Sequence, residues 1–259
     1  VEIALALDDR ESWQALCAEI EAGGLHHDLV RRSLPGDLRD GSVTVSGTGG
    51  SDGFPLLAFT YKTASLAGEL GENPRLLRET IAADELLQKA LARKVRAQMY
   101  MGHTRWASVG SITTENCHPL NNHVLPKNPV PAGESSAALN NYPFYGEGAW
   151  TIDAVLNGDV DNYQALRDAF SDATGLDIDH RVSTDTKIIP LQVDLYLRKG
   201  CNREEAFRSA VNDFQGSQAI ALQSSLEPGK VYLALRGSGQ SLYVGFCDDK
   251  YVYASEIYG

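Results

Sequence analysis

Residues 217–255 read SQAIALQSSLEPGKVYLALRGSGQSLYVGFCDDKYVYAS, and this stretch decides the fold. It holds four short apolar or alternating runs, SQAIALQ, KVYLALR, SLYVGF and YVYAS, with the turn signals EPGK, GSG and DDK between them. Runs of this length separated by Gly, Pro and Asp are typical of antiparallel hairpins. Two similar runs lie earlier, FPLLAFTYKT at 54–63 and TIDAVLNG at 151–158. The sequence therefore predicts mainly antiparallel sheet.

Helical periodicity fills much of the chain between these runs. Asn73 and Pro74, a capping residue followed by a proline suited to a first turn, precede apolar residues at helical spacing. Asn202 with Glu205 three residues later resembles a capping box. The predicted helices are 8–22, the segment after 73–74, 162–170, 186–199 and 202–214. Helices beside antiparallel hairpins predict a layered α+β domain, and no linker or repeat divides the chain.

Composition excludes several classes of function. The formal net charge is -11, from 34 Asp and Glu against 23 Lys and Arg, and no basic run predicts a nucleic-acid partner. No apolar run approaches the roughly 20 residues of a membrane-spanning helix, and the start VEIALALDDRES lacks a signal peptide, so we expect a cytoplasmic protein. The four cysteines are Cys17, Cys117, Cys201 and Cys247. Their wide spacing predicts neither disulfides nor zinc, and no cofactor or metal is expected.

Asn157 and Gly158 end the run TIDAVLNG, just before a predicted helix. Asn-Gly is a common tight-turn pair, so a simple turn explains the two residues when they are taken alone. The alternative is an oxyanion hole, because an Asn amide and a Gly N–H at a strand end can both donate to a developing negative oxygen. Glycine also lets a substrate approach the backbone closely. These two residues by themselves leave both interpretations open.

Arg105 and Asp185 have equally plain explanations. Arg105 could be half of a structural ion pair, Trp106 beside it could be core, and Asp185 could cap the helix that follows. A free amino acid, however, carries a carboxylate that a guanidinium grips with two hydrogen bonds, and an ammonium that donates to an Asp carboxylate. With Asn157 and Gly158 placed at a side-chain carbonyl, the whole set predicts hydrolysis of glutamine at its amide.

Four blocks, GHTRWASVG, ENCHP, LNGDVDNYQALR and STDT, occur in the order found in the class II glutamine amidotransferases, whose glutaminase domain is an N-terminal-nucleophile hydrolase. The chain resembles this family, and its His-Thr-Arg-Trp wording is most similar to the glucosamine-6-phosphate synthase branch. The resemblance implies a four-layer αββα sandwich of two antiparallel sheets flanked by helices. It assigns Arg105 and Ser108 to the substrate carboxylate, Asp185 to its ammonium, Asn157 and Gly158 to the oxyanion hole, and Trp106 to closing over the site.

The resemblance has one serious departure. The family's nucleophile is a cysteine at the mature N-terminus, whose free α-amine takes up the thiol proton, whereas this sequence begins with Val1. We expect a leading segment that carries the cysteine, so that residues 1–259 form a single glutaminase-like domain of a larger protein. Cys117 precedes His118 in ENCHP, but adjacent side chains seldom converge on one point, and the family uses this segment as scaffold.

Smaller departures concern three places in the chain. Ser108 stands where a threonine is usual, and Lys187 stands where an acidic residue is common. A long insert lies between Pro119 and Trp150. The insert bears on the acceptor of the ammonia more than on the glutamine site.

Two functions of different class fit these residues. The first is an enzyme that releases ammonia from glutamine and passes it to an acceptor, with a sugar phosphate as the candidate. Its partner would be a synthase or phosphosugar-isomerase-like domain, and assembly into a homo-oligomer stays open. The second is a binding module that senses glutamine with the same residues and does not cleave it. The true N-terminus separates the two, because a mature chain that begins with cysteine favours the enzyme.

Overall fold

The computed structural model describes residues 1–8, 11–12, 14–16, 41–46, 56–64, 71–105, 107–124 and 150–257. The strands are β1 (Glu2–Leu7), β2 (Gly41–Ser46), β3 (Leu56–Tyr61), β4 (Val95–Met101), β5 (Leu120–Asn121), β6 (Ile152–Gly158), β7 (Gln218–Ser224), β8 (Val231–Arg236), β9 (Tyr243–Phe246) and β10 (Tyr251–Ala254). The helices are α1 (described at 11–12 and 14–16), α2 (Glu72–Ala83), α3 (Glu85–Leu91), α4 (Tyr163–Thr174), α5 (Ile188–Arg198) and α6 (Arg203–Asp213). Thr114–Asn116 and Asp185–Lys187 form single 3-10 turns.

Two antiparallel sheets organise the described residues. The first has the strand order β2-β3-β1-β4 and the second has the order β5-β6-β7-β8, while β9 and β10 form a separate two-stranded hairpin. The pairs β7–β8 and β9–β10 are antiparallel, as the turn signals predict. In the first sheet β1 is central and pairs with both β3 and β4.

The first sheet is covered on both faces. Successive strand residues point to opposite faces, so β1 divides its side chains between two cores. Leu5 packs with Leu87 of α3 on one face. On the other face Ala4 packs with Met99 of β4 and with Val231, which belongs to the second sheet. Small residues on the inner face of β1 let the two sheets approach each other.

The second sheet is covered in the same way. Its outer face, which includes Ile152, packs on Phe170 of α4 and Phe207 of α6. On its inner face Val155 packs against Met101 of the first sheet. The order of layers is therefore helix, sheet, sheet, helix, which confirms the four-layer αββα sandwich.

One polar contact joins the two sheets inside this sandwich. Glu2 is only 1% exposed at the start of β1. Gln223 of β7 donates from Nε2 to Glu2 Oε1, and Thr60 of β3 donates from Oγ1 to Glu2 Oε2 at 2.9 Å. The carboxylate is thus held by two donors from different sheets, which fixes the start of β1 against β7.

The predicted helices are mostly confirmed. Those at 162–170, 186–199 and 202–214 appear as α4, the Asp185–Lys187 turn with α5, and α6. The Asn202 side chain accepts from the Glu205 N–H at 2.9 Å, as the capping box predicts. Within the predicted helix 8–22, the described residues 11–12 and 14–16 are helical and residues 17–22 lie outside the described part.

The helix predicted after Asn73 is wrong in two respects. It begins at Glu72, because Gly71 occupies the N-cap position and Asn73 already lies inside the first turn. It also ends at Ala83, and a second helix follows at once. Asp84 causes this break, since its side chain accepts from the Leu87 N–H and so caps α3.

The sequence interpretation did not identify β1, β2 or β4. The β1 segment EIALAL is buried at every position. A central strand covered on both faces has no need of polar residues at alternate positions, so period-two alternation is weak there. Strand β1, in the centre of the first sheet, was therefore harder to recognise than the later hairpins.

Candidate active site

The end of β6 carries the predicted oxyanion pair. Gly158 pairs with Gln218 of β7 and has a φ of +107°. A Cβ added to Gly158 would lie 2.0 Å from the Ser217 carbonyl oxygen, so a larger residue would force the backbone to move. Glycine is required here by close packing of the backbone, which a simple turn pair does not explain.

The hydrogen-bond pattern of β6 shows which way its donors point. Asp159 N–H donates to Ser217 O at 3.1 Å, and successive N–H groups of an antiparallel strand point to opposite edges. The N–H of Gly158 therefore points away from β7, towards the edge where β5 pairs only with residues 153–154. The Asn157 side chain makes no hydrogen bond to any described residue and is half-buried. One strand end thus carries two candidate donors, the Asn157 amide and the Gly158 N–H.

Arg105 lies in the loop that follows β4 and is half-buried. Its Nη1 donates to the Ser111 carbonyl at 3.0 Å, and its Nη2 donates to the Val109 carbonyl. Burial lowers the pKa of Arg105, whereas the Asp185 carboxylate acts on it in the opposite direction. The Arg105 and Asp185 charges therefore interact, although no hydrogen bond joins these two described side chains.

Ser108 brings the same loop to the end of β6. Its Oγ donates to Asp159 Oδ1 at 2.5 Å, and Asp159 directly follows Gly158. The blocks GHTRWASVG and LNGDVDNYQALR therefore meet, as the sequence interpretation requires. Trp106 lies outside the described residues, so its predicted role stays a prediction.

Asp185 is 4% exposed at the first position of a 3-10 turn. Its Oδ2 accepts from the Val160 N–H at 2.8 Å, and its Oδ1 accepts from the Thr186 N–H at 2.8 Å. Burial raises the pKa of Asp185, the hydrogen bonds from Val160 and Thr186 oppose that rise, and the neighbouring Asp159 adds to it. Asp185 thus ties the start of the 3-10 turn to the segment that follows β6.

The alternative interpretation of Asp185 as a helix cap is wrong. Thr184 is the N-cap residue of the 3-10 turn and Lys187 is that of α5, and neither helix start has a side-chain cap hydrogen bond. The Asp185 carboxylate bonds Val160, which lies 25 residues earlier in the chain. A tertiary contact therefore explains its burial.

Asn116, in the block ENCHP, is a site residue that the sequence interpretation missed. Its Oδ1 accepts from the N–H groups of Ser183 and Thr184 at 2.8 and 3.0 Å. Its Nδ2 donates to Arg181 O at 2.9 Å and to Ser111 Oγ at 3.1 Å. The fully buried amide thereby fastens the STDT block to the end of the GHTRWASVG loop, and its position inside a motif block was the available signal.

The remaining polar residues near the site act as scaffold. The Cys117 thiol donates to Thr63 O at 3.3 Å, whereas His118 Nε2 bonds Thr186 Oγ1, so the two adjacent side chains do not meet. Lys187 is buried and donates to the carbonyls of Asn121 and His123, both at 2.6 Å. It therefore fixes the first residues of the insert, of which residues 125–149 lie outside the described part.

Candidate metal-binding clusters and membrane-spanning helices are both absent from the described residues. No cluster of three or more His, Cys, Asp or Glu side chains in the described ranges has the arrangement needed for a metal ion. None of the helices in the described part is both long enough and apolar enough to cross a membrane.

Two curated relatives of this chain carry the same name, glutamine–fructose-6-phosphate aminotransferase. The chain is 31% identical over 199 residues to a glutamine–fructose-6-phosphate aminotransferase of Acidithiobacillus ferridurans, a match that covers 76% of this chain and 27% of the relative. It is 32% identical over 157 residues to that of Clostridium tetani, covering 61% of this chain and 21% of the relative. A solved phosphoribosylpyrophosphate amidotransferase of B. subtilis has a TM-score of 0.45 at 15% identity and covers 98% of this chain and 41% of that one. No protein-family model matches the chain.

The chain combines a four-layer αββα fold with four motif blocks in the order found in glutamine amidotransferases. The chain belongs to the class II glutamine amidotransferases, and the curated relatives named above are glutamine–fructose-6-phosphate aminotransferases. The chain spans about a quarter of the length of those relatives.

Proposed function

We propose that this chain is the glutaminase domain of an amidotransferase that hydrolyses the side-chain amide of glutamine to glutamate and ammonia. The observation that carries the proposal is the arrangement of Arg105 and Asp185. The Asp185 carboxylate acts to raise the pKa of Arg105, so the two charges interact. No ion pair joins these two described side chains, because each is hydrogen-bonded to backbone groups instead. A zwitterionic amino acid needs this combination, because its carboxylate and ammonium lie on one carbon atom.

The amide end of the substrate would face β6. Asn157 Nδ2 and the Gly158 N–H are donors that can stabilise negative charge on the carbonyl oxygen as it develops. Ser108 would support the carboxylate end beside Arg105, and Trp106 would close over the site. These roles are the ones that the family resemblance implies. The Ser108–Asp159 hydrogen bond, where the GHTRWASVG and LNGDVDNYQALR blocks meet, supports bringing the two blocks together in one site.

The nucleophile in this proposal is a cysteine upstream of Val1 in the natural protein. Val1 lies beside Gly102 at the start of the Arg105 loop, with its Cγ2 4.0 Å from the position of a Cβ on Gly102. The thiol sulfur would attack the amide carbon after its proton passes to the α-amine. The α-ammonium would then return this proton to the leaving nitrogen, so that the C–N bond breaks and ammonia departs. Water would then cleave the thioester, which releases glutamate and restores the thiol.

The ammonia released from glutamine would pass to an acceptor in another part of the natural protein. The curated relatives are named for transfer to fructose 6-phosphate, and they are about four times as long as the matched region. We infer that the chain passes ammonia to a synthase or isomerase-like domain acting on a sugar phosphate. Cytoplasmic location and self-association stay predictions.

Replacement of Arg105 by lysine tests the substrate clamp. Lysine cannot reproduce a planar two-point grip on a carboxylate, so we expect glutamine affinity of the full-length protein to fall at least tenfold, about 1.4 kcal/mol. Calorimetric titration with glutamine measures this affinity.

Arg236→Lys is the matched control, because Arg236 also donates to two backbone carbonyls, those of Val211 and Asn212 at the end of α6. We expect this control to bind glutamine as the parent does. Equal affinity of Arg105→Lys and the parent would remove Arg105 from the site.

A further inference from the structure

Two neighbouring histidines, the half-buried His103 and the buried His118, lie between the residues that the proposed function assigns to opposite ends of glutamine. Their rings stack with centroids 4.2 Å apart at an angle of 44°. His103 precedes Arg105 in the loop after β4, and His118 follows Asn116 in the block ENCHP. We call them the histidine pair. The proposed mechanism does not use either ring, although both lie next to residues that it does use.

His103 is bonded to the strand that carries the oxyanion donors. Its imidazole hydrogen-bonds the backbone of Leu156, the residue immediately before Asn157. The Nδ1 atom is buried and has no partner among the described residues, so Nε2 is the donor and the Leu156 carbonyl is the acceptor. This bond lies on the edge of β6 that faces away from β7, the same edge to which the Gly158 N–H points.

His118 is bonded to the other half of the site. Its Nε2 lies 2.8 Å from Thr186 Oγ1. Thr186 in turn donates its backbone N–H to Asp185 Oδ1 at 2.8 Å, and its Oγ1 is 3.5 Å from the same oxygen. His118 thus fixes the rotamer of the residue that holds one oxygen of the Asp185 carboxylate.

The electrostatic state of both rings suits this position. Burial lowers the pKa of His103 to about 4 and lowers the pKa of His118 well below its usual value, and the positive charge of Arg105 acts in the same direction on both. Uncharged rings can lie beside Arg105 without repelling it, and they leave its charge for a substrate carboxylate.

We propose that the histidine pair consists of two positioning residues with separate effects, in which His103 orients the amide end of the site and His118 orients the ammonium end. The inference rests on the proposed glutaminase function. It follows that removing each ring should disturb a different kinetic constant, because oxyanion donors act mainly on turnover and the ammonium contact acts mainly on substrate affinity.

The test compares His103→Leu and His118→Leu in the full-length protein, with glutamate release measured over a range of glutamine concentrations. We expect His103→Leu to lower kcat about tenfold with KM within about twofold of the parent. We expect His118→Leu to raise KM about tenfold with a smaller change in kcat. Thr186→Val removes the partner of His118 at nearly the same volume, so it should reproduce the effect on KM.

Glutamine variants separate hydrogen bonding from packing. The side-chain amide of glutamine can both donate and accept near the position of histidine Nε2, so His103→Gln and His118→Gln should recover most of what the leucine variants lose. His180→Gln is the matched control, because the His180 side chain is 94% exposed, and it should leave both constants unchanged. Thermal unfolding of every variant reports whether the fold survives.

Several results would overturn the inference. Leucine variants that shift kcat and KM alike, in proportion to lost stability, would make the pair ordinary packing. An active parent whose leucine variants keep parental constants would remove the pair from the site and leave the glutaminase proposal intact. A parent that neither binds glutamine nor releases glutamate would instead overturn the proposed function, and this inference with it.

Discussion

At the scale of single residues, Asp185 has to meet two demands with one carboxylate. Both oxygens already accept backbone N–H groups, one from Val160 and one from Thr186. A carboxylate oxygen has more than one lone pair, so these bonds leave acceptor capacity for a substrate ammonium. The residue is therefore structural and, in the proposed function, a binding residue as well.

Asp185→Asn should lower both stability and glutamine affinity. An Asn amide offers one oxygen and one NH2, so either the Val160 N–H or the Thr186 N–H would face another donor. We expect the free energy of unfolding to fall by about 1–3 kcal/mol, the usual cost of a buried group left unpaired. Chemical denaturation and glutamine titration of the same variant measure the two effects.

Asp194→Asn is the matched control for this prediction. Asp194 is fully buried and accepts from Trp150 Nε1 and Arg198 Nε, with no contact to the proposed site residues. This variant should lose stability but bind glutamine as the parent does. If Asp185→Asn also kept parental affinity, Asp185 would be a structural residue only.

The candidate site residues that the sequence predicts are those whose chemistry is visible in their residue type. An Arg, an Asp and an Asn-Gly pair match the groups of glutamine one by one. The contacts of Asn116 and His118 were not predicted, because their hydrogen-bond partners lie 67 and 68 residues away in the sequence. A local sequence pattern contains no information about partners at that distance. Their presence inside the motif blocks was the only signal available.

At the scale of elements, the end of β6 shows how a strand can present a reactive edge. Its last residue has a backbone conformation that is strained for any residue with a side chain, and the Ser217 carbonyl fills the space beside it. Strand β5 pairs with β6 at residues 153–154, and no other described strand pairs with that edge at 156–158, where His103 contacts Leu156 and where we place the substrate.

Gly158→Ala should be strongly destabilising. The new Cβ would lie 2.0 Å from the Ser217 carbonyl oxygen at a φ of +107°, so the strand end would have to shift. We expect a loss of about 3 kcal/mol in the free energy of unfolding, from strain and overpacking together. Chemical denaturation measures it.

Gly175→Ala is the control for backbone strain alone. Gly175 has a φ of +69° at the end of α4, and a Cβ there would meet nothing within 4 Å. Its replacement should cost about 1 kcal/mol. Equal losses at the two glycines would show that the close approach of Ser217 contributes nothing to stability.

The elements that sequence reasoning predicted correctly are those with clear turn or capping residues at their ends. Strands β7 to β10 are separated by Gly, Pro and Asp turns, and α6 begins with an Asn202 cap. Strand β1 was missed because both of its faces are buried. The break between α2 and α3 was missed because a single residue, Asp84, separates the two helices and caps the second one.

At the scale of the whole molecule, the proposed site is divided between the two sheets. Arg105 follows β4 of the first sheet, whereas Asn157 ends β6 of the second. The packing of Met101 on Val155 and the bond between Gln223 and Glu2 hold the sheets together. The geometry of the site is therefore a property of the complete sandwich.

The most direct test of this account is glutamate release by the full-length natural protein, compared with its Asn157→Ala variant. The account predicts that the parent releases glutamate from glutamine. In the variant, kcat should fall on the order of a hundredfold at similar KM, because an oxyanion donor acts as charge develops. A fall in affinity alone would make Asn157 a binding residue, and a parent that binds glutamine without releasing glutamate would contradict the enzyme and leave a glutamine sensor.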